Sequence, residues 1–406
     1  MRFLVCTVGG SPAPVIATIK KFAAAFVFFI GSKGDDPSKA SAATVRGKGG
    51  IAEKAGLQER AFEVVEVEPD SLESVYEGCE RTLAAIKTKS GDTQPDIIAD
   101  YTGGTKTMSA GLVLFALHQQ PPWQLFLQST TRNDLIKITT GNVVWRQATS
   151  GIVIRKAIEK ARELAAMYNY AGARAILENA IAQYETAGSG QEEIRALINE
   201  YRMWEAWNGF NHAQARDIAL TDQGLQTTYG ETLRKLSNAV CAFTGDAPLP
   251  RKNIGIYCLV NDLLRNVDVC ATTCRYDDAA GRLYRATELL AQIHLRRCYG
   301  INTAKVDLAS PGIPAESHQW LSQYRKENGT IAIGLFPAYR LLADMNDPLG
   351  KYAEKRTNDL KKCIERRNTS IFAHGLTPIT EEQWHSFGEQ WKAWITGALE
   401  VAKRVV

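Results

Sequence analysis

The chain changes character once, near Gly151. Before that point short apolar runs alternate with segments of helical spacing; after it only helical spacing remains. Alternation of this kind dictates βαβ units and a largely parallel, doubly wound sheet. The expected fold is therefore an α/β Rossmann-like N-terminal domain followed by an all-α C-terminal domain. Strand-like runs occupy Arg2 to Val8, Ala25 to Ile30, Glu63 to Val67, Asp96 to Ala99, Leu125 to Gln128, Leu135 to Ile138 and Val143 to Trp145. Helical spacing fills Ser11 to Phe22, with Ser11 as N-cap and Pro12 in the first turn, then Ser71 to Lys87 and Met108 to His118. The stretch from Ser32 to Gly50 is polar and glycine-rich, part loop and part helix.

In the second half, helices are predicted over Ile154 to Thr186 with a turn near Asn169, then over Gln191 to Phe210, Thr232 to Cys241 and Tyr257 to Asn266. Tyr276 to Tyr299 follows, closed by Gly300. Tyr352 to Phe372 and Glu381 to Val405 complete the set. At 406 residues, 45% hydrophobic and 23% charged, the chain can bury two or three cores. A net charge of +4 permits a nucleic-acid partner without arguing for one. No apolar run reaches membrane-spanning length, so no membrane role is expected. The N-terminus lacks the apolar stretch of a signal peptide, and the eight cysteines are scattered, which reads as reduced cytoplasmic thiols.

Two glycine loops follow strands: Gly9, Gly10 and Ser11 after the first, and Thr102, Gly103, Gly104, Thr105, Lys106 and Thr107 after Asp96 to Ala99. In an open parallel sheet both emerge at the carboxyl ends of strands, where such folds bind ligands. Glycine lets a ligand approach the backbone, and the next helix offers unpaired amides to an anion. Neither loop is a standard nucleotide motif. Thr105 stands where a P-loop requires glycine, and the first loop lacks the third glycine of a dinucleotide fingerprint. Either loop alone would serve as a tight turn; two together point to a phosphate-bearing ligand.

The segment Arg366 to Gly375 carries the other chemistry. Arg367 and His374 are seven positions apart, and Asn368 follows the arginine. On a continuous helix they would share a face, about 10 Å apart along the axis. A histidine moves protons near neutral pH, and an arginine holds a phosphate in a planar fork. RNA brings its own nucleophile, the 2′-hydroxyl. His374 would move the proton, Arg367 would neutralise charge on the phosphate oxygens, and Asn368 would orient either one. No metal is required by that scheme. The plainer alternative is a histidine that merely caps a helix.

Together the two halves resemble the CARF–HEPN accessory ribonucleases of type III CRISPR systems, the Csm/Csx group. The loop at residues 9–11 and the stretch 100–107 resemble the CARF ligand loops. Arg367, Asn368 and His374 resemble the HEPN signature, with six residues between arginine and histidine. Tyr276 to Glu288 resembles an upstream helix in one branch of these proteins. The resemblance implies a CARF-like sensor at 1–150, helical connecting residues at 151–255 and a HEPN-like ribonuclease domain at 256–406. It implies a homodimer in which cyclic oligoadenylate, an allosteric activator, switches on cleavage of single-stranded RNA, with no cofactor. Two alternatives accompany it. One is a ligand-sensing adaptor without nuclease activity. The other adds cleavage of the activator ring, with Ser11, Lys106 and Thr107 nearest the scissile phosphates. A dinucleotide-dependent enzyme is disfavoured by the missing fingerprint.

Overall fold

The computed structural model describes residues 1–34, 40–129, 143–146, 149–183, 189–245, 249–250, 252, 254–371 and 373–405. The chain divides into two compact units. One comprises Met1–Lys156 with Ala180–Gly190, and the other Ala157–Asn179 with Gln191–Val406.

The first unit is built on strands β1 (Arg2–Thr7), β2 (Phe26–Ser32), β3 (Phe62–Val67), β4 (Asp96–Asp100), β5 (Gln124–Ser129) and β6 (Val143–Arg146). Their order is β3-β2-β1-β4-β5-β6. The first five run parallel and β6 pairs antiparallel with β5. The strand expected over Leu135 to Ile138 lies outside the described residues. Helices α1 (Pro12–Phe22), α2 (Ile51–Ala55), α3 (Leu72–Ser90) and α4 (Lys106–His118) connect the strands. The strands read as unbroken apolar runs because both sheet faces are covered. Phe3, Val5, Phe28 and Ala99 pack with Val75, Cys79, Met108 and Phe115 of α3 and α4. Their neighbours Leu4, Cys6, Val27 and Ile98 pack with Val15, Ile19 and Ile51 of α1 and α2.

Helical structure follows: α5 (Ser150–Ala166), α6 (Tyr170–Gln183), α7 (Ser189–Asn208), α8 (His212–Ala219), α9 (Gln223–Thr244), α10 (Cys258–Thr272) and α11 (Tyr276–Tyr299). Then come α12 (Ser317–Ser322), α13 (Leu335–Asp344), α14 (Pro348–Lys355), α15 (Thr357–Asn368) and α16 (Glu381–Arg404). No helix among the described residues is long and apolar enough to cross a membrane. All eight cysteines are free thiols.

Helix α11 is the hub of the second unit. Trp391 of α16 is fully buried and donates its indole N–H to the Thr287 hydroxyl at 2.9 Å. Tyr339 of α13 donates to the Thr287 carbonyl at 2.9 Å. A buried polar chain ties α11 to the start of α14: the Tyr257 hydroxyl lies 2.7 Å from His294 Nδ1, and His294 Nε2 lies 3.0 Å from Asp347 Oδ2. Asp347 also caps α14, accepting from the Leu349 amide at 2.7 Å. Gly300 closes α11 in the left-handed conformation at φ 71, as its position in the sequence implied.

The expected single helix from Tyr352 to Phe372 is corrected. Arg356 adopts φ −123 between α14 and α15, and α15 stops at Asn368. Thr369 promotes the stop by donating its hydroxyl back to the Arg366 carbonyl at 2.7 Å.

Candidate ligand loops and Arg–His site

The strand order reverses direction between β1 and β4, which are neighbours in the sheet. Loops leaving the carboxyl ends of these two strands meet there, at the usual ligand position of an open α/β sheet. The structure brings Gly9 against Gly103 and Gly104 backbone to backbone. A Cβ on Gly9 would stand 2.6 Å from the Gly104 nitrogen, and one on Gly103 would stand 2.4 Å from the Thr7 carbonyl oxygen. Gly104 adds a left-handed φ of 83. The second loop is braced by the Thr7 hydroxyl, which donates to the Gly103 carbonyl at 2.7 Å, and by Ser109, which donates to the same oxygen at 3.0 Å.

Beneath the loops lies a buried network that sequence reasoning missed. Asp100, 1% exposed, accepts from the Thr102 amide at 2.9 Å and from the hydroxyls of Thr102 and Thr18. The Gln128 side chain donates to the Thr18 hydroxyl and the Pro14 carbonyl. Burial raises the Asp100 carboxyl above its usual range, and the Thr102 and Thr18 hydrogen bonds pull the other way. The only sequence signal was an aspartate ending an apolar strand.

The twelve residues singled out in the sequence divide by what their groups do. Thr102 and Thr105 are committed to the scaffold. Thr102 accepts from the Gln128 amide at 2.8 Å, while Thr105 caps α4 and donates to the Pro69 carbonyl. Ser11 is the N-cap of α1 but makes no side-chain cap bond. Gly10 and Lys106 are exposed, and Thr107 is half-buried in the first turn of α4. Neither α1 nor α4 carries an acidic residue in its first turn. Lys106 there opposes the helix dipole, at a cost of about 0.3–1 kcal/mol that a bound anion would offset.

In the second unit, Arg367 and Asn368 end α15 and His374 lies beyond a tight turn. The His374 amide donates to the Asn368 carbonyl at 3.1 Å, and the Gly375 amide donates to the Ser370 carbonyl at 3.2 Å. This replaces the two-turn separation expected on a continuous helix. His374 is exposed, while Arg367 and Asn368 are half-buried. The Arg367 guanidinium donates to Asn368 Oδ1 at 3.3 Å and lies 4.8 Å from the centroid of the Tyr284 ring.

The first unit is thus a parallel α/β sheet with glycine loops at its switch point, and the second is helical with an Arg–His turn. Residues 251–395 of the helical half match the family model described as the Csm6 HEPN domain. Over the whole chain the fold is similar to that of a Csm6 from Enterococcus italicus, solved bound to cyclic hexa-2'-fluoro-hexa-dAMP. That match covers 100% of this chain and 95% of the other, with a TM-score of 0.61 and 10% identity. No curated protein matches the sequence.

Proposed function

We propose that the protein is a cyclic-oligoadenylate-activated endoribonuclease that cuts single-stranded RNA without a metal. In this reading residues 1–150 sense the ligand, 151–255 connect, and 256–406 cut. The observation that carries it is the Arg–His turn. It lies inside the segment matching the Csm6 HEPN domain, and it presents an exposed His374 next to the residues that end α15.

The RNA 2′-oxygen attacks the adjacent phosphorus as His374 takes its proton or protonates the departing 5′-oxygen. The phosphorus–5′-oxygen bond breaks, leaving a 2′,3′-cyclic phosphate and a 5′-hydroxyl. Arg367 meets the charge that grows on the phosphoryl oxygens, and Asn368 orients its guanidinium. Two copies of the chain pair, so that two sets of loops face one symmetric ring. Ring phosphates meet the amides at the starts of α1 and α4, together with Lys106. The bound analogue in the Enterococcus italicus protein supports this choice of ligand class.

The test is cleavage of labelled single-stranded RNA in EDTA, with a panel of cyclic oligoadenylates. Cleavage stimulated by one ring size and lost in His374→Ala is expected. RNA left intact with every ring, or cut equally by His374→Ala, overturns the reading. Ring binding without RNA cleavage would make the protein a ligand-sensing adaptor instead.

A further inference from the structure

The stretch Tyr276 to Glu288 has no part in the chemistry above. It forms the first half of α11, where positions four apart run along one stripe of the helix. That half touches the segment around the Arg–His turn at three places. Tyr276 stacks on Trp384 of α16, with centroids 6.0 Å apart at 24°. Asp277 Oδ2 accepts from the Ile379 amide at 3.1 Å, fixing the chain five residues after His374. Tyr284 lies against Arg367, with the guanidinium carbon 4.8 Å from the ring centroid.

Arg367 and Tyr284 are both half-buried, so their attraction is less diluted by water than that of a surface pair. Burial, with Glu288 adding to it, raises the Tyr284 phenol above its ordinary value, while the positive charge of Arg367 opposes that rise. The ring is a neutral π face, and the Asn368 amide oxygen takes one edge of the guanidinium. An arginine side chain has several rotors to freeze before it can meet a phosphate in a fixed orientation. A ring on one face removes much of that freedom before substrate arrives.

We infer that Tyr284 is a positioning residue for RNA cleavage, its ring holding the Arg367 guanidinium in the plane that meets the scissile phosphate. The inference rests on the ribonuclease reading. It assigns the work to the ring and not to the hydroxyl, and it makes Tyr284 act wholly through Arg367.

The experiment measures kcat and KM for RNA at saturating activator in Tyr284→Leu, Tyr284→Phe, Arg367→Ala and the Tyr284→Leu/Arg367→Ala double variant. Tyr284→Leu is expected to lower kcat about 30-fold with little change in KM, because the contact matters most as charge develops. Tyr284→Phe, which keeps the ring, is expected to recover kcat to within about threefold of the parent. The double variant is expected to be no slower than Arg367→Ala alone. Losses that multiply in the double variant, or a Tyr284→Leu enzyme of undiminished kcat, overturn the inference. Should Tyr284→Leu fail to fold by thermal melting, Tyr284→Met carries the same comparison. If Arg367→Ala cuts RNA as well as the parent, the ribonuclease reading itself falls. If Arg367→Ala is inactive and Tyr284→Leu is not, only the positioning role falls.

Discussion

The amide of His374 donates to the carbonyl of Asn368 at 3.1 Å, so one compact turn joins the two ends of the Arg–His motif. The turn depends on a residue with no side chain. A Cβ on Gly375 would lie 1.7 Å from the Thr369 carbonyl oxygen, which no small adjustment relieves. Gly375→Ala is therefore expected to displace His374 and slow RNA cleavage by about 100-fold, the scale set by a misplacement of about 1 Å. Ring affinity should stay at the parent value. Single-turnover cleavage and calorimetric titration of the same preparation check both halves of the expectation.

At the other motif, Gly103→Ala places a methyl 2.4 Å from the Thr7 carbonyl oxygen. Overpacking against backbone costs about 1–3 kcal/mol, and here the strain falls on the loop proposed to cradle phosphates. Titration with cyclic oligoadenylates should show affinity reduced by about 5- to 150-fold, on that energy scale. RNA cleavage should then require correspondingly more activator.

Asp100→Ala removes the common acceptor of the Thr102 amide and the Thr18 and Thr102 hydroxyls. Leaving buried donors unmet costs about 1–3 kcal/mol. Urea unfolding should reveal a loss of that size. Asp100→Asn, which keeps one acceptor oxygen, should lose less.

The His294–Asp347 pair makes the helical unit sensitive to pH. Burial lowers the affinity of His294 for its proton, but hydrogen bonds to Asp347 and Cys298 and the Asp347 charge outweigh that, lifting it to about 9 from 6.5. Asp347 is correspondingly held below its ordinary value: burial raises it, but the His294 hydrogen bond and charge, with the Tyr299 and Leu349 bonds, together outweigh that. A histidine raised on folding adds stability that is complete below its unfolded pKa and disappears as pH climbs through the folded one. Stability should thus fall by on the order of 3 kcal/mol between about pH 6.5 and 9. Thermal melts across that range check it, and Asp347→Asn should flatten the slope.

Much of this architecture is legible in the sequence because burial on both faces writes strands as apolar runs. Phe26–Ser32 and Asp96–Asp100 show it directly. Tyr276–Tyr299 was legible to its last residue, since Gly300 marks the stop. Elsewhere the local signals mislead. Pro337 reads as a breaker, yet it sits in the first turn of α13, where its missing N–H costs nothing. Gly224 and Gly230 hide the first two turns of α9. Helix α8 is only eight residues long, too short for a clear period. In the sites, glycines and charged residues announce themselves, but their supports do not. Thr18 reaches Asp100 across 82 residues, and Gln128 reaches Thr18 across 110, through folding alone. The turn at 369–374 is likewise invisible, because no glycine or proline precedes Gly375 in that segment.

The interlocking of Gly9 with Gly103 and Gly104 has a practical consequence for redesign. A side chain on Gly9 would meet the Gly104 backbone, one on Gly103 would meet Thr7 and Gly9, and one on Gly104 would meet Met108 and Thr7, so none of the three positions has room for substitution. A library aimed at altering ligand preference gains nothing by varying that floor. Diversity belongs at the rim, at Gly10, Ser11, Lys106 and Thr107, whose side chains can change without prising the two loops apart.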